Sequence, residues 1–396
     1  MLLIKGGTVI LSGAVPGKAM DILIKDGKIT EMSDIIPETA SMAFIDATGL
    51  IVAPGLVDIH VHFREPGFEY KEDIISGAEA AAAGGFTTCC CMPNTSPAVD
   101  SKEITEYIVR KAEQAIMKVL PVGAVTVGQK SEKLTDFNAL KATGAAALSD
   151  DGLPIVSDEI MRDALLAAEE AGLLVISHCE EEEPMVERDV KLASETGTRV
   201  HIAHVSTAAA IETIRKAKNA GVKVTTEACP HHFSLTEATV AEKGADAKMS
   251  PPLRTERDVK AVVQGLRDGT IDAIVTDHAP HSVEEKALPF AEAPNGVIGL
   301  ETSLAVTLTY LYHSGKLGLS GIVDFMSTKP ANLLGLDAGK IIVGCNADIV
   351  IFDPDEEWKV DPSVFKSKSR NTPYGGVKLR GKVKNTIVNG DVVYEG

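Results

Sequence analysis

The chain has 396 residues, 44% hydrophobic and 24% charged, a globular composition that excludes a largely disordered protein. Its 39 basic against 56 acidic residues give a net charge of −17, which leaves no basic stripe for nucleic-acid phosphates or an anionic membrane surface. Aromatics at 4% offer no base-stacking platform, and no apolar run approaches the ~20 residues of a membrane helix. The opening MLLIKGGTVI lacks the basic start and long apolar stretch of a secretion signal, so a soluble cytoplasmic protein is expected.

Along the chain, Leu2-Leu3-Ile4, Thr8-Val9-Ile10, Asp21-Ile22-Leu23-Ile24 and Phe44-Ile45-Asp46 are short β-type runs punctuated by Gly-Gly, Asp-Gly and Gly-Leu. The C-terminal stretch has the same texture, in Lys340-Ile341-Ile342, Asp348–Phe352, Val383–Gly390 and Val392-Val393-Tyr394. Neither end is long enough to be stable alone. Residues 1–53 and 338–396 are therefore expected to join into one small β-sandwich domain, with the termini close together.

Residues 54–337 alternate apolar strands with amphipathic helices. Strands are predicted to end near His60, Pro93, Val127, Asp151, His178, His204, Glu227 and Asp277. Helical patterns cover Lys102–Ile116, Ser157–Ala171, Glu187–Thr196, Ala208–Ala220 and Arg254–Arg267. Eight such units imply parallel pairing, right-handed crossovers and a (β/α)8 TIM-type barrel. A doubly wound open sheet is the alternative, but no GxGxxG follows the first strand. The six cysteines form no CxxC pattern and are expected to be free and mostly buried. Consecutive Cys89, Cys90 and Cys91 would point alternately to opposite faces of a strand.

Active sites of such barrels lie at the C-terminal strand ends. Those ends carry His60, His62, Asn94, Asp150, Asp151, His178, His204, Asp277, His278 and His281, and eight of the ten histidines lie at or near one of them. Any single histidine could be a satisfied core residue, and His201 is as much a candidate for that as for function; the convergence is what points to a site. In DIHVH, His60 and His62 are two apart on a strand and face the same side, so both imidazoles can reach one ion. Imidazole with carboxylate, without thiolate spacing, points to a catalytic zinc with open positions. Strand alternation lets only one of Asp150 and Asp151 face the cavity, and spacing leaves both open. Asp277 in VTDHAPH can serve general acid–base catalysis beside a metal.

The segments APGLVDIHVHFREPG, GGFTTCCCMPNTSP, LSDDG, HCE, HIAHVS, EACPHH, SPPLR and TDHAPH resemble, in order and over nearly the whole chain, the signature series of the dihydroorotase family in the amidohydrolase superfamily. The Arg of HFREPG resembles dihydroorotases more than allantoinases or dihydropyrimidinases, and Arg64 offers a planar bidentate donor for a substrate carboxylate. The resemblance implies one or two zinc ions. His60 and His62 would bind the more buried ion, His178 and His204 the second, with Asp151 shared and Asp277 both ligand and acid–base residue. Arg64, Asn94 and His281, with Ser250, Asn295 and Gly296, would hold the substrate. No Lys stands where many relatives carry a carboxylated lysine; LSDDG resembles the subgroup that uses Asp. Ser250 replaces that subgroup's usual Asn, and Asn295 a frequent aromatic.

The implied reaction is reversible hydrolysis of L-dihydroorotate to N-carbamoyl-L-aspartate in pyrimidine synthesis, by a homo-oligomer able to associate with aspartate transcarbamoylase. The alternatives are another cyclic-amide hydrolase, of allantoinase or hydantoinase type, or a silent homologue serving as partner of another pyrimidine enzyme. The stretch HCEEEEPMVERD is much shorter than the family norm, where a long excursion follows the histidine. Either the excursion is truly missing or a segment between Glu180 and Val186 is absent from the numbering; the second is favoured, because long loops beside active sites are often poorly ordered.

Overall fold

Sixteen strands, in two sheets, organise the computed structural model, which describes residues 1–11, 17–40 and 42–396. The N-terminal stretch gives β1 (Leu2–Val9), β2 (Lys18–Lys25), β3 (Lys28–Ser33), β4 (Ala43–Asp46) and β5 (Ile51–Pro54). The middle gives β6 (Leu56–Val61), β7 (Phe86–Cys91), β8 (Lys118–Ala124), β9 (Ala147–Ser149), β10 (Val175–Ser177), β11 (Val200–Ile202), β12 (Val224–Ala228) and β13 (Ala273–Ile274). The C-terminal stretch gives β14 (Ile349–Lys359), β15 (Lys378–Val388) and β16 (Asp391–Glu395).

The first sheet runs β16-β15-β14-β5-β1-β2-β3, with β4 also on β1, so both chain ends build it. Its two tight hairpins share one chemistry. Asp26-Gly27 joins β2 to β3 and Asn389-Gly390 joins β15 to β16, all four residues at positive φ, as a turn matched to strand twist requires. Ile4, Val9, Ile22, Ile24 and Ile29 pack with Ile341, Ile349, Ile351 and Ile387, so the two ends share one apolar core. Leu2-Leu3-Ile4 and Thr8-Val9 belong to a single strand, whose register shifts between Ile4 and Gly7. The Gly-Gly pair read as punctuation marks that irregularity. Lys340–Ile342 is not a strand: Ile341 is buried, Ile342 is half-exposed, and the chain turns at once so that Gly344 donates to the Ile29 carbonyl.

The second sheet runs β6 to β13 in chain order, every neighbouring pair parallel. It closes where Val61 bridges His278 and the His62 amide donates to the His278 carbonyl at 2.8 Å, the eight-stranded barrel expected from the alternating pattern. Strands β6 and β7 are buried at every residue, as parallel strands covered on both faces must be. Cys90 points into the barrel with Val57, Ile59, Val122 and Ile176, while Cys89 and Cys91 pack outward beneath the helices. All six cysteines are free and only Cys345 is not fully buried.

The helices lie at Lys102–Ala112, Asp158–Ala171, Glu182–Thr196, Ala208–Asn219 and Glu256–Asp268, near their predicted places. An Ala-rich helix, Ile74–Ala83, escaped the periodicity and is started by a capping box at Asp73 and Ser76. The helix expected from Glu187 begins five residues earlier, at Glu182. Its acidic first turn suits the positive end of the helix dipole. The backbone runs directly from His178 into it, with the Met185 amide donating to the Glu181 carbonyl at 3.1 Å. The favoured reading of a segment missing between Glu180 and Val186 is therefore corrected: the connection is continuous and short.

Candidate active site

The strand ends deliver their side chains into one cavity of about 210 Å³. His62, Arg64, Asn94, Asp151, His178, His204, Ser250, Asp277, His281, Asn295 and Gly296 all line it. The volume is well under the roughly 300–1,000 Å³ of drug-sized pockets, so the site suits a small ring. Gly152, Glu180 and Ala279, which the sequence did not single out, complete the lining. His60 lies directly behind, fully buried.

Two groups of donors converge there: His60, His62 and Asp277, and His60, Asp151 and His204, each with ligand atoms within 4.8 Å of one another. Asp151 reaches His178 Nδ1 at 3.1 Å, His60 Nε2 at 3.3 Å and His62 Nε2 at 3.4 Å. Asp277 Oδ1 lies 3.0 Å from His62 Nε2 and 3.7 Å from His60 Nε2. The choice that spacing left open is visible in the geometry. Asp150 turns away to accept from the Val125 and Thr126 amides, at 2.9 and 3.1 Å, whereas Asp151 faces the imidazoles. His178 Nδ1 and His204 Nε2 stand 3.0 Å apart around the same carboxylate.

The imidazoles are oriented from behind. His60 Nδ1 donates to Glu227 Oε1 at 2.6 Å, and Glu227 Oε2 accepts from His201 Nε2 at 3.1 Å. The proton is thereby fixed on Nδ1, and the His60 Nε2 lone pair faces the carboxylates, buried and without a hydrogen-bond partner. His201, which could have been either core or site, is a buried support. His62 Nδ1 donates to Asn94 Oδ1 at 2.9 Å, so Asn94 positions a histidine as well as lining the cavity.

Burial pushes the Asp277 carboxyl up, but His62, His60 and His204 outweigh it and hold the group below the usual carboxylate range. Asp151 is lowered in the same way against burial by His60 and His178. Burial pulls the His60 imidazole down, and Asp151 and Glu227 reverse that and raise it. Three buried carboxylates thus demand positive charge at one point. With orphaned His60 Nε2 and His204 Nδ1 beside them, the nitrogen–oxygen donor set fits a divalent metal ion.

Arg64, His204 and Asp277 all have positive φ, at 61°, 29° and 47°. Non-glycine residues keep such conformations only where the surroundings over-determine them. Arg64 Nε donates to the Pro280 carbonyl at 3.1 Å, and the side chain is not paired with Glu65 or Glu69. Burial lowers its guanidinium to about 10, which leaves it charged at neutral pH. Glu65 instead accepts from the Ile74 amide at 3.1 Å and from Tyr107 at 2.7 Å. His281 Nε2 donates to the Asn295 carbonyl at 2.8 Å, and burial, then Arg64 and Lys71, lower its ring to about 3, so it is neutral.

Several supports escaped the sequence reading. Asn371, between β14 and β15, donates to the Ala279 and Gly296 carbonyls at 3.1 and 3.0 Å and accepts from the His281 amide at 3.2 Å. Lys286 donates to the Gly296 and Pro294 carbonyls at 2.8 and 3.0 Å. Glu182, inside the glutamate run, is buried and accepts from the Ser206 and Thr207 amides, both at 2.8 Å, just beyond His204. The sequence carried no signal for these three, whereas Glu227, behind His60, stands at a predicted strand end. His278 faces away from the cavity, its Nδ1 accepting from the Gly299 amide at 3.2 Å.

Residues 51–393 match the model of the amidohydrolase family. A protein of Acetivibrio thermocellus named dihydroorotase is 47% identical over 420 residues, covering 99% of this chain and 98% of its own. One of Citrifermentans bemidjiense with the same name is 46% identical, covering 100% and 99%. Among solved structures, the L-hydantoinase of Arthrobacter aurescens superposes with a TM-score of 0.90 at 27% identity, over 100% of this chain and 96% of that one. A D-hydantoinase of a Thermus species gives 0.86 at 27% identity, over 99% and 95%. The 420-residue alignment is longer than the 396 residues of this chain, so it opens gaps on this chain's side. Among the described residues, no helix is long and apolar enough to cross a membrane.

Proposed function

The chain belongs to the amidohydrolase family, as a cyclic amidohydrolase of the dihydroorotase type, and from that premise we propose how its residues divide the work. The reaction is L-dihydroorotate plus water to N-carbamoyl-L-aspartate, and its reverse. The observation that carries the assignment is Arg64, a half-buried cation on the wall of a small cavity whose other wall is the His–Asp cluster. A ring bearing a carboxylate satisfies both walls at once.

His60, His62, Asp151, His178, His204 and Asp277 would hold one or two zinc ions. Zinc bound there supplies Lewis-acid polarisation of the ring carbonyl and lowers the pKa of water. The chain's own groups do the rest. Asp277, ionised and 3.0 Å from His62, takes the proton of the attacking water at its carboxylate oxygen. It returns that proton to the ring nitrogen as the carbonyl carbon–nitrogen bond breaks; in cyclisation it removes the amide proton first. Arg64 binds the substrate carboxylate through its outer nitrogens, and Asn94, Ser250, His281 and the Asn295-Gly296 backbone hold the remaining polar edge. The ring is thus oriented before attack.

The hydantoinase reading is the weaker one: neighbours of that name are 24–27% identical, against 44–47% for those named dihydroorotase. Every metal-ligand position is filled, which argues against a silent homologue. Cytoplasmic location, a homo-oligomer and association with aspartate transcarbamoylase belong to the same family reading. The test is turnover of dihydroorotate and carbamoyl aspartate alongside metal analysis. Chelation should abolish turnover and zinc restore it, and His60→Ala should lose metal and activity together. Full turnover by a verified metal-free preparation would refute the assignment of these ligands.

A further inference from the structure

At the C-terminal end of β12, one strand over from the cluster that Asp277 closes, Cys229, His231 and His232 converge. One donor atom from each lies within 4.8 Å of the other two, and the residues are 0, 3 and 3% exposed. The hydrolytic reading uses none of them.

His232 Nε2 donates to the Pro251 carbonyl at 3.0 Å, which fixes the ring proton there. Its Nδ1 is then a bare lone pair, buried and without a partner, and His231 Nε2 is likewise buried and unpartnered. A buried polar atom without a partner forfeits its hydration with nothing in return. Two such atoms on the histidines of one Cys–His–His cluster are an exception to the pairing of buried polar groups. A carbonyl bond on one imidazole nitrogen with the other left open is the arrangement in which histidine ligates metal. Burial also keeps both rings neutral, His232 falling to about 4 and His231 well below its ordinary value, so neither must shed a proton to bind.

We propose that Cys229, His231 and His232 form a second, separate metal site, selective for thiophilic cations such as zinc, cadmium or mercury(II). One sulfur and two imidazole nitrogens without a carboxylate discriminate against magnesium and calcium and favour softer cations than the carboxylate-bearing cavity cluster. Tetrahedral coordination at 2.0–2.3 Å brings ligand atoms to roughly 3.3–3.8 Å from one another. Closing from the present separations takes side-chain adjustments of about 1 Å. Binding forms a sulfur–metal bond and breaks the Cys229 S–H bond, releasing one proton to solvent per ion. His232 is hydrogen-bonded to Pro251, next to cavity-lining Ser250, so an ion here would sit against the back of the substrate wall.

The test titrates cadmium into the full chain loaded with only the zinc equivalents that restore turnover, carrying Cys345→Ser, which removes the one cysteine that is not fully buried. It follows the ultraviolet thiolate-to-cadmium charge-transfer band and proton release. One equivalent should produce the band and release one proton. Cys229→Val should abolish both, His232→Phe should weaken binding at least tenfold, and Cys179→Ala should change neither. Absence of the band, or a band that survives Cys229→Val, overturns the proposal. If Cys229→Val does not fold, unchanged cadmium affinity in a folded His232→Phe protein overturns it as well.

Discussion

Two walls of the cavity are made in opposite ways. The wall from β6, β9, β10, β11 and β13 meets itself through side chains: Asp151 touches four imidazoles and Asp277 two. The facing wall, the loops that carry His281, Asn295 and Gly296, is held through backbone. Asn371 and Lys286 bond almost only carbonyls and amides there. One wall places reactive groups and the other fixes a shape. Substitutions in the first should therefore strike the chemical step, and substitutions behind the second should strike binding.

The largest effect is expected at Asp277. Asp277→Asn keeps the shape of the side chain but removes the proton acceptor, so kcat should fall by about 10²–10⁴ with the fold retained. Metal content measured in the same preparation separates lost proton transfer from lost metal. A rate within a few-fold of the parent would break the comparison, since the side-chain wall would then not carry the chemistry.

Arg64 sits where the walls meet, and its replacement tests which substrate joins them. Arg64→Met should cost dihydroorotate about 10² in kcat/KM, the worth of charge-assisted hydrogen bonds to one carboxylate. An uncharged ring such as dihydrouracil should lose only a few-fold. Equal losses on both substrates would make Arg64 a structural residue, held by its bond to Pro280.

The same contrast explains what could be read without coordinates. The barrel was legible because eight apolar runs alternate with helical periodicity. The reactive wall was legible because strand ends place histidines and aspartates at motif spacings. Asn371 was not: it lies in an irregular connection, and it acts on whatever backbone passes by, so the partner residues leave no trace of it. Glu182 was hidden for a related reason, and Glu227 showed only its place at a strand end, since a buried glutamate reads as surface until its partners are known. The strand expected at Lys340–Ile342 failed because three apolar-flanked residues carry too little pattern to separate a strand from a buried turn.

Asn371→Ala sharpens the division between the walls. It removes one donor from each of two buried carbonyls, of which Gly296 keeps Lys286, and one amide's acceptor, while touching no reacting atom. The expected result is a rise in KM of about tenfold, the worth of one net buried hydrogen bond, with kcat within a few-fold of the parent. A fall in kcat at unchanged KM would mean that the backbone-held wall takes part in the chemical step.

The smallest effect lies behind Asn371, at Glu301, whose carboxylate accepts from the Lys366 and Ser367 amides at 3.0 and 3.1 Å and so fixes the segment that leads to Asn371. Burial raises this carboxyl from 4.5 to about 7, against the pull of those two amides, with Glu72 adding to the rise. A raised folded pKa means that the native state holds a proton which the unfolded chain has already released. The associated stability is complete below pH 4.5, declines as pH rises, and is gone above about 7. The shift, 7 − 4.5 = 2.5, sets a ceiling of about 3 kcal/mol, and the group's partial exposure to water brings the expected figure nearer 1–2 kcal/mol. Glu301→Gln keeps an acceptor and removes the titration. Its unfolding free energy relative to the parent should therefore rise by that amount, the variant becoming the more stable, between pH 5 and pH 8, with little difference at pH 5. A difference that stays flat across the range would show that the two amides, not burial, set the state of this carboxyl. The backbone-held wall would then be anchored by a charge rather than by a neutral acid.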